Sequence, residues 1–340
     1  MGKFGKKNEV SLNPLDYSIC ILGESGIGKT TLAKETCEKL TGDDGYIHFD
    51  IGREAGAKAI QGIVSEEIED WAKLEEVVDD ITENKTSDYP NLKVVIWDTL
   101  DELVVLAEAE AIRLWNKNPE NKRADTINGA WGGFGKGQDK ALDLMLTMND
   151  RLRKVGVSSI TIGHIKRTDI QDPLTNETYS KLTADTTQRY FNGIKNKQHF
   201  VAVIYIDREI VKEKTGRKNL VTKQDITINK AVSESRVISF RDDTYSVDSK
   251  SRFADIIDKV PLDVNEFIGA MTDAIKKEKL KSGKTLAEAE KEQKATEKKK
   301  EAEAAKNSEL AKEENARQRY IEAIQEKFSD ADREVKTNIK

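Results

Sequence analysis

The segment Gly23-Glu-Ser-Gly-Ile-Gly28-Lys29-Thr30 constrains this chain more than any other part of it. It is a full G-x-x-x-x-G-K-[ST] match, with an apolar run at 17–22 in front and a helical pattern from Thr31 behind, the context that such a loop requires. Glycines at 23, 26 and 28 let the backbone curl so that successive N–H groups face phosphate oxygens, and the following helix adds its positive end. The expected cradle is Gly23, Glu24, Ser25, Gly26, Ile27, Gly28, Lys29, Thr30 and Thr31. Lys29 is placed to reach β- and γ-phosphates as a point charge, and the Thr30 hydroxyl to take one position on Mg²⁺. The expected ligands are ATP and Mg²⁺.

A second element fits the first. Lys93-Val-Val-Ile-Trp-Asp98-Thr99 is an apolar run that ends in a carboxylate, and Asp98 is expected beside the phosphate loop, holding Mg²⁺ through a water. Further apolar runs at 46–51, 159–162 and 200–206 alternate with helical patterns, one carried by Leu32, Cys37 and Leu40 and another by Leu142, Leu146, Met148 and Leu152. Such alternation predicts an α/β fold with a mostly parallel sheet covered on both faces. Strands at 226–228 and 237–240 predict an antiparallel edge extension, 249–252 a short loop, and 264–275 a closing helix.

Beyond Lys276 the composition shifts to Lys, Glu and Ala, with scarcely a large apolar residue before Tyr320. Propensity and i,i+4 pairs favour helix there, but no apolar seam is present. The expected organisation is a tail at 1–14, an ATPase domain at 15–275, a charged helical or disordered linker at 276–319, and a short amphipathic helix and tail at 320–340. With 56 basic and 61 acidic side chains, net −5, there is no global basic field, so an anionic partner must be met by a local patch. Cys20 and Cys37 have no metal spacing and read as buried thiols. The basic N-terminus has no apolar segment behind it, Lys6 stands where a myristoylation motif needs Ser or Thr, and no run approaches 18 apolar residues, so a cytoplasmic protein without membrane association is expected.

The segments 21–32 and 94–103, the glycine-rich Gly129-Ala-Trp-Gly-Gly-Phe-Gly-Lys136, Ile160-Thr-Ile-Gly-His-Ile-Lys166 and Ser249-Lys-Ser-Arg-Phe253, in this order, resemble the RecA-like P-loop ATPases of bacteriophages, a family that includes single-strand annealing recombinases. The resemblance covers about residues 15–267 and implies a RecA-like domain acting in the host cytoplasm. It places His164 at the strand tip that senses the γ-phosphate. It also implies that the polar stretch 166–188 is a loop gripping single-stranded DNA, with Lys166 and Arg167 on phosphates. Trp131, Phe134 and Lys136 combine aromatic and basic character as a base-stacking surface does, with simple packing anchors as the other reading of the two aromatics. Lys250 and Arg252 match basic residues that reach a neighbouring subunit's γ-phosphate, which implies a ring or filament of identical copies. One departure stands out: the glutamate that such enzymes place right after the second core strand is missing, leaving Glu54 two residues beyond and Asp50 two residues before as candidate bases.

The resulting expectation is an ATPase that couples nucleotide state to single-stranded DNA in phage recombination or replication. Two alternatives stay open: a non-hydrolysing switch that recruits a replication partner such as a single-strand binding protein, and a small-molecule P-loop kinase.

Overall fold

A computed structural model describes residues 9–53, 56–172, 175–218, 225–242, 247–283 and 285–338. In chain order the elements are β1 (Ile19–Gly23), α1 (Lys29–Thr41), β2 (Tyr46–Ile51), β3 (Ser65–Ile68), α2 (Trp71–Glu83), β4 (Val94–Asp98), α3 (Leu100–Lys117), α4 (Lys136–Lys154), β5 (Ser158–Gln171), β6 (Thr178–Ala184), α5 (Gln188–Lys195), β7 (Phe200–Lys218), β8 (Asp225–Ser239), β9 (Lys250–Ser251), β10 (Lys259–Pro261), α6 (Val264–Leu280) and α7 (Leu286–Asn338). The sheet order is β3-β2-β4-β5-β1-β7-β8-β10, parallel from β3 to β7 and antiparallel at β8 and β10. This is the expected α/β architecture, with its antiparallel edge.

Period-two alternation explains why both faces are covered. Ile19 and Ile21 of β1 join Ile96, Ile160, Ala202 and Phe267 in a cluster under α1 and α6. Cys20 and Leu22, the intervening residues, point to the other face and meet Phe191 of α5. Phe49, Val95 and Trp97 do the same against Trp71, Leu74 and Met148. The rings of Phe240 and Phe267 stack 5.5 Å apart and are fully buried, each contributing about 1.5–3 kcal/mol through removal from water. Both thiols are buried and free, and burial pushes the Cys20 thiol up to about 12.

Three segments depart from the sequence-based expectation. The stretch 166–188 is not a structureless loop: β5 continues past the sheet and pairs antiparallel with β6 from Ile165↔Ala184 to Gln171↔Thr178. The hairpin was illegible because beyond its root it projects from the core, where one face is only partly covered and the other exposed, and so carries no apolar run. Residues 250–251, expected in a loop, form the short strand β9 against Phe200 and Val201. Past the domain, the charged stretch takes the helical one of its two expected forms, and the difference is that the helix runs on without a break into the terminal segment expected as a separate helix. Small side chains let it approach the domain closely. Ala289 and Ser308 are buried, and the Ser308 hydroxyl donates to Thr82 O (2.9 Å) and Glu83 O (3.1 Å), carbonyls in the last turn of α2 that lack helical partners.

Candidate nucleotide site

The loop between β1 and α1 takes the shape its glycines allow. Gly26 (φ +73°) and Gly28 (φ +112°) lie in left-handed conformations that L side chains rarely adopt. Gly28 caps α1 without any side-chain acceptor, so the first-turn N–H groups of the helix are not spent on a capping side chain. Lys29 is buried, and its ammonium folds back to donate to Gly23 O (3.1 Å) and Glu24 O (3.0 Å). Ser25, Gly26 and Gly28 to Thr31 form one wall of a cavity of about 350 Å³. Asp50, Gly56, Ile60, Asp98, Thr99 and His164 complete its lining. The volume suits a small-molecule ligand.

Strand order brings the distant part of that lining to the loop. β5 lies between β1 and β4, and β4 lies beside β2, so the register pairs Gly23 with His164 and Asp50 with Asp98. Thr30 Oγ1 donates to Asp98 Oδ2 at 2.6 Å. The same carboxylate oxygen lies 3.0 Å from Nε2 of His48, a side chain with no exposed surface. The carboxylate accepts, so Nε2 carries the hydrogen, and Nδ1 is left buried without a partner. Sequence reasoning missed His48; its signal was an imidazole two residues before Asp50 in a buried strand. Burial raises the Asp50 carboxyl above the ordinary carboxylate range; His48 opposes the rise and Asp98 adds to it.

The Thr30 hydroxyl and the Asp98 carboxylate are adjacent hard oxygen donors at the mouth of the loop, which suits Mg²⁺. Among the described residues no group of three or more His, Cys, Asp or Glu side chains is arranged to hold a metal by itself. A magnesium ion here would complete its shell with phosphate oxygens and water, as that ion commonly does.

His164 ends the core part of β5 and begins the projecting hairpin. Its backbone N–H and its Nδ1 both donate to Asp101 Oδ2, each at 3.0 Å, which anchors the ring to the first turn of α3. Lys166 reaches Asp185 across the hairpin root, with Nζ 2.8 Å from the backbone oxygen and 3.3 Å from Oδ1, and Arg167 donates to Ser180 Oγ at 2.8 Å. The glycine-rich segment lies close by: Arg189 at the start of α5 grips Asp139 in the first turn of α4 at 2.8 and 2.7 Å. Trp131 is turned inward, donating Nε1–H to Ala111 O at 2.9 Å and packing on Trp115. Of the two roles open for Trp131, these contacts are those of a packing anchor. Phe134 is fully exposed, and Lys136 opens α4.

The remaining expected residues lie elsewhere. Lys250 and Arg252 donate to the backbone oxygens of Lys195 and Asn196, beside Phe200. That is the end of the sheet opposite Gly23, so neither residue joins this chain's own cavity. Glu54 lies outside the described residues. None of the described helices is long and apolar enough to cross a membrane.

No curated protein matches this chain. A family model described as an AAA domain matches residues 15–253, a span that opens just before β1 and closes just after β9, and so takes in the phosphate loop, both carboxylate strands and the two hairpins. With well over half of its length matched, the chain belongs to the AAA domain family, whose P-loop ATPase-like fold and nucleotide-binding character it carries.

Proposed function

We propose that this chain is a Mg²⁺-ATP-dependent ATPase of the RecA-like kind, with its ATPase unit at 15–275, and that it couples nucleotide state to single-stranded DNA in phage recombination or replication. The observation that carries the proposal is the position of His164. One side chain lines the phosphate cavity and also roots the hairpin formed by β5 and β6, so a change at the cavity has a direct covalent path into a projecting arm. Lys166, Arg167 and the exposed Phe134 are the groups available there to phosphates and bases.

Magnesium, when bound, neutralises charge that develops on the phosphate oxygens. The residues divide the remaining work. Lys29 and the loop N–H groups hold the phosphates, Thr30 and Asp98 hold the metal, Asp50 or Glu54 accepts the proton of the attacking water, and His164 reports the outcome to the hairpin. Lys250 and Arg252, at the far end of the sheet, would complete the cavity of a second copy in a ring or filament.

Turnover measured with and without single-stranded oligonucleotide tests the coupling. Stimulation of roughly tenfold is expected, within the range of ordinary coupling energies. Single-strand affinity should fall with salt at a shallow slope of about two to four ions, since only a few local cations take part. Background hydrolysis that DNA does not change would instead favour a nucleotide switch, and stoichiometric phosphate transfer to a small acceptor would favour a kinase.

His48 gives a further test. It fixes the carboxylate that would face the metal, and loss of such a supporting contact typically weakens metal affinity by 10–100-fold. In His48→Leu the half-saturating Mg²⁺ concentration for binding labelled nucleotide should rise about tenfold, while weak binding without Mg²⁺ stays the same. Equal Mg²⁺ dependence in variant and parent would show that Asp98 needs no such support.

A further inference from the structure

Among the described residues β6 pairs with β5 alone, apart from one parallel bridge between Leu182 and Val247. That bridge brings Asp248 against the hairpin, where its backbone N–H donates to Leu182 O at 2.8 Å and the residue is only 8% exposed. Thr183 Oγ1 donates to Asp248 Oδ2 at 2.9 Å, and Lys181 Nζ lies 3.4 Å from Oδ1. The ammonium of Lys195, at the end of α5, donates to the same Oδ1. Burial pushes the Asp248 carboxyl up, but Lys195, with Lys181 and Thr183 beside it, outweighs burial and leaves it below the ordinary carboxylate range.

Such a cluster is costly to build, because each ion gives up its water, and apolar side chains of similar volume often hold elements together as well or better. What charge adds is one fixed geometry, and here it fixes the hairpin to the chain that follows. Asp248 stands two residues before Lys250 and four before Arg252, and the segment continues as β9 along Phe200 and Val201 to the far end of the sheet. Lys195 joins the two ends. Its ammonium meets Asp248, its backbone oxygen accepts from Lys250 Nζ at 2.7 Å, and the next carbonyl, Asn196 O, accepts from Arg252 at 2.6 Å. Residues 247–252 span at most about 20 Å, so a displacement of β6 meets little slack chain before it reaches the two cations.

We propose that Asp248 is a positioning residue that ties the hairpin to Lys250 and Arg252, so that a single strand held on one copy's hairpin regulates hydrolysis in the cavity of its neighbour. This link rests on the readings above that give the hairpin to single-stranded DNA and the two cations to a second copy, and it joins them. Through His164 the hairpin answers to its own cavity. Through Asp248 it reaches the next one.

The test mixes full-length variants and reads ATP turnover with and without single-stranded oligonucleotide. Asp248→Asn should lower kcat on the order of tenfold, part of the 10³–10⁵ that such cations supply, with nucleotide and single-strand affinity within about twofold of the parent. Adding Lys29→Ala, which fills no cavity of its own but offers intact Lys250 and Arg252, should restore turnover to Asp248→Asn; the same addition to Lys250→Ala/Arg252→Ala is the control. Lys181→Met/Thr183→Val cuts only the hairpin side of the clamp, so unstimulated turnover should match the parent while stimulation falls below about twofold. Thermal melting checks folding, and if Asp248→Asn does not fold, this double variant decides. A parent that single strands do not stimulate, or a control mixture that stays inactive, removes the readings beneath and this link with them. A control that recovers while Asp248→Asn does not, parental turnover in Asp248→Asn, or full stimulation in the folded double variant overturns the role of Asp248 alone.

Discussion

Replacing Lys29 with alanine is expected to weaken Mg²⁺-nucleotide binding on the order of a hundredfold or more, which at ordinary concentrations abolishes it. Hydrogen bonds to charged groups contribute about 1.5–3 kcal/mol each, and in the proposed role this ammonium meets at least one β- or γ-phosphate oxygen in a cavity that no other described lysine or arginine lines. The native side chain is held in reserve on Gly23 O and Glu24 O, so binding exchanges two neutral acceptors for charged ones. Lys29→Met retains most of the buried stem and separates the charge from the packing. Titration of labelled adenine nucleotide, with melting temperature as the control for folding, should show both variants folded and neither saturating at concentrations that saturate the parent. Near-normal affinity in the folded methionine variant would remove the phosphate-loop assignment and the function built on it.

The second large effect concerns the missing glutamate. Asp50 lines the cavity beside Asp98, and burial has raised its carboxyl, which makes it a stronger base than an exposed aspartate. Asp50→Asn is therefore expected to reduce kcat by about 10²–10⁴, the usual contribution of a positioned general base. Nucleotide affinity should hold or improve, because a buried negative charge near the phosphates is removed. The pH dependence has a definite sign. The base works only when deprotonated, so turnover in the parent should fall as pH drops through the raised Asp50 value, at a higher pH than the ordinary aspartate value of about 3.9 permits. If Glu54→Gln shows the loss and Asp50→Asn does not, the base is Glu54 and the acid limb belongs to it.

Much of the site was legible because its first half is contiguous in the chain. Strand, glycine turn, lysine, threonine and helix occupy residues 19–41 without interruption, and each local choice supports the same cup. Asp98 was legible for a similar reason, as a carboxylate closing a buried apolar strand. His48 was not, since nothing local relates it to a residue fifty positions later; only the β2–β4 pairing brings the imidazole under the carboxylate. The β5–β6 hairpin and the outer part of the β7–β8 pair were hidden for another reason. Elements that leave the core bury less of either face, and apolar periodicity is the signal on which strand reading depends.

The amino-acid sequence by itself determined that a phosphate cradle forms and that buried strands and helices alternate around it, because backbone freedom at glycine, apolar periodicity and a helix start all act within a few residues. Tertiary structure alone decided which side chains face that cradle. Placing β5 between β1 and β4 sets His164, Asp98 and Asp50 around one cavity and sends Lys250 and Arg252 to the other end of the sheet. Strand order and register come from the packing of distant segments on a shared core, which no local spacing encodes.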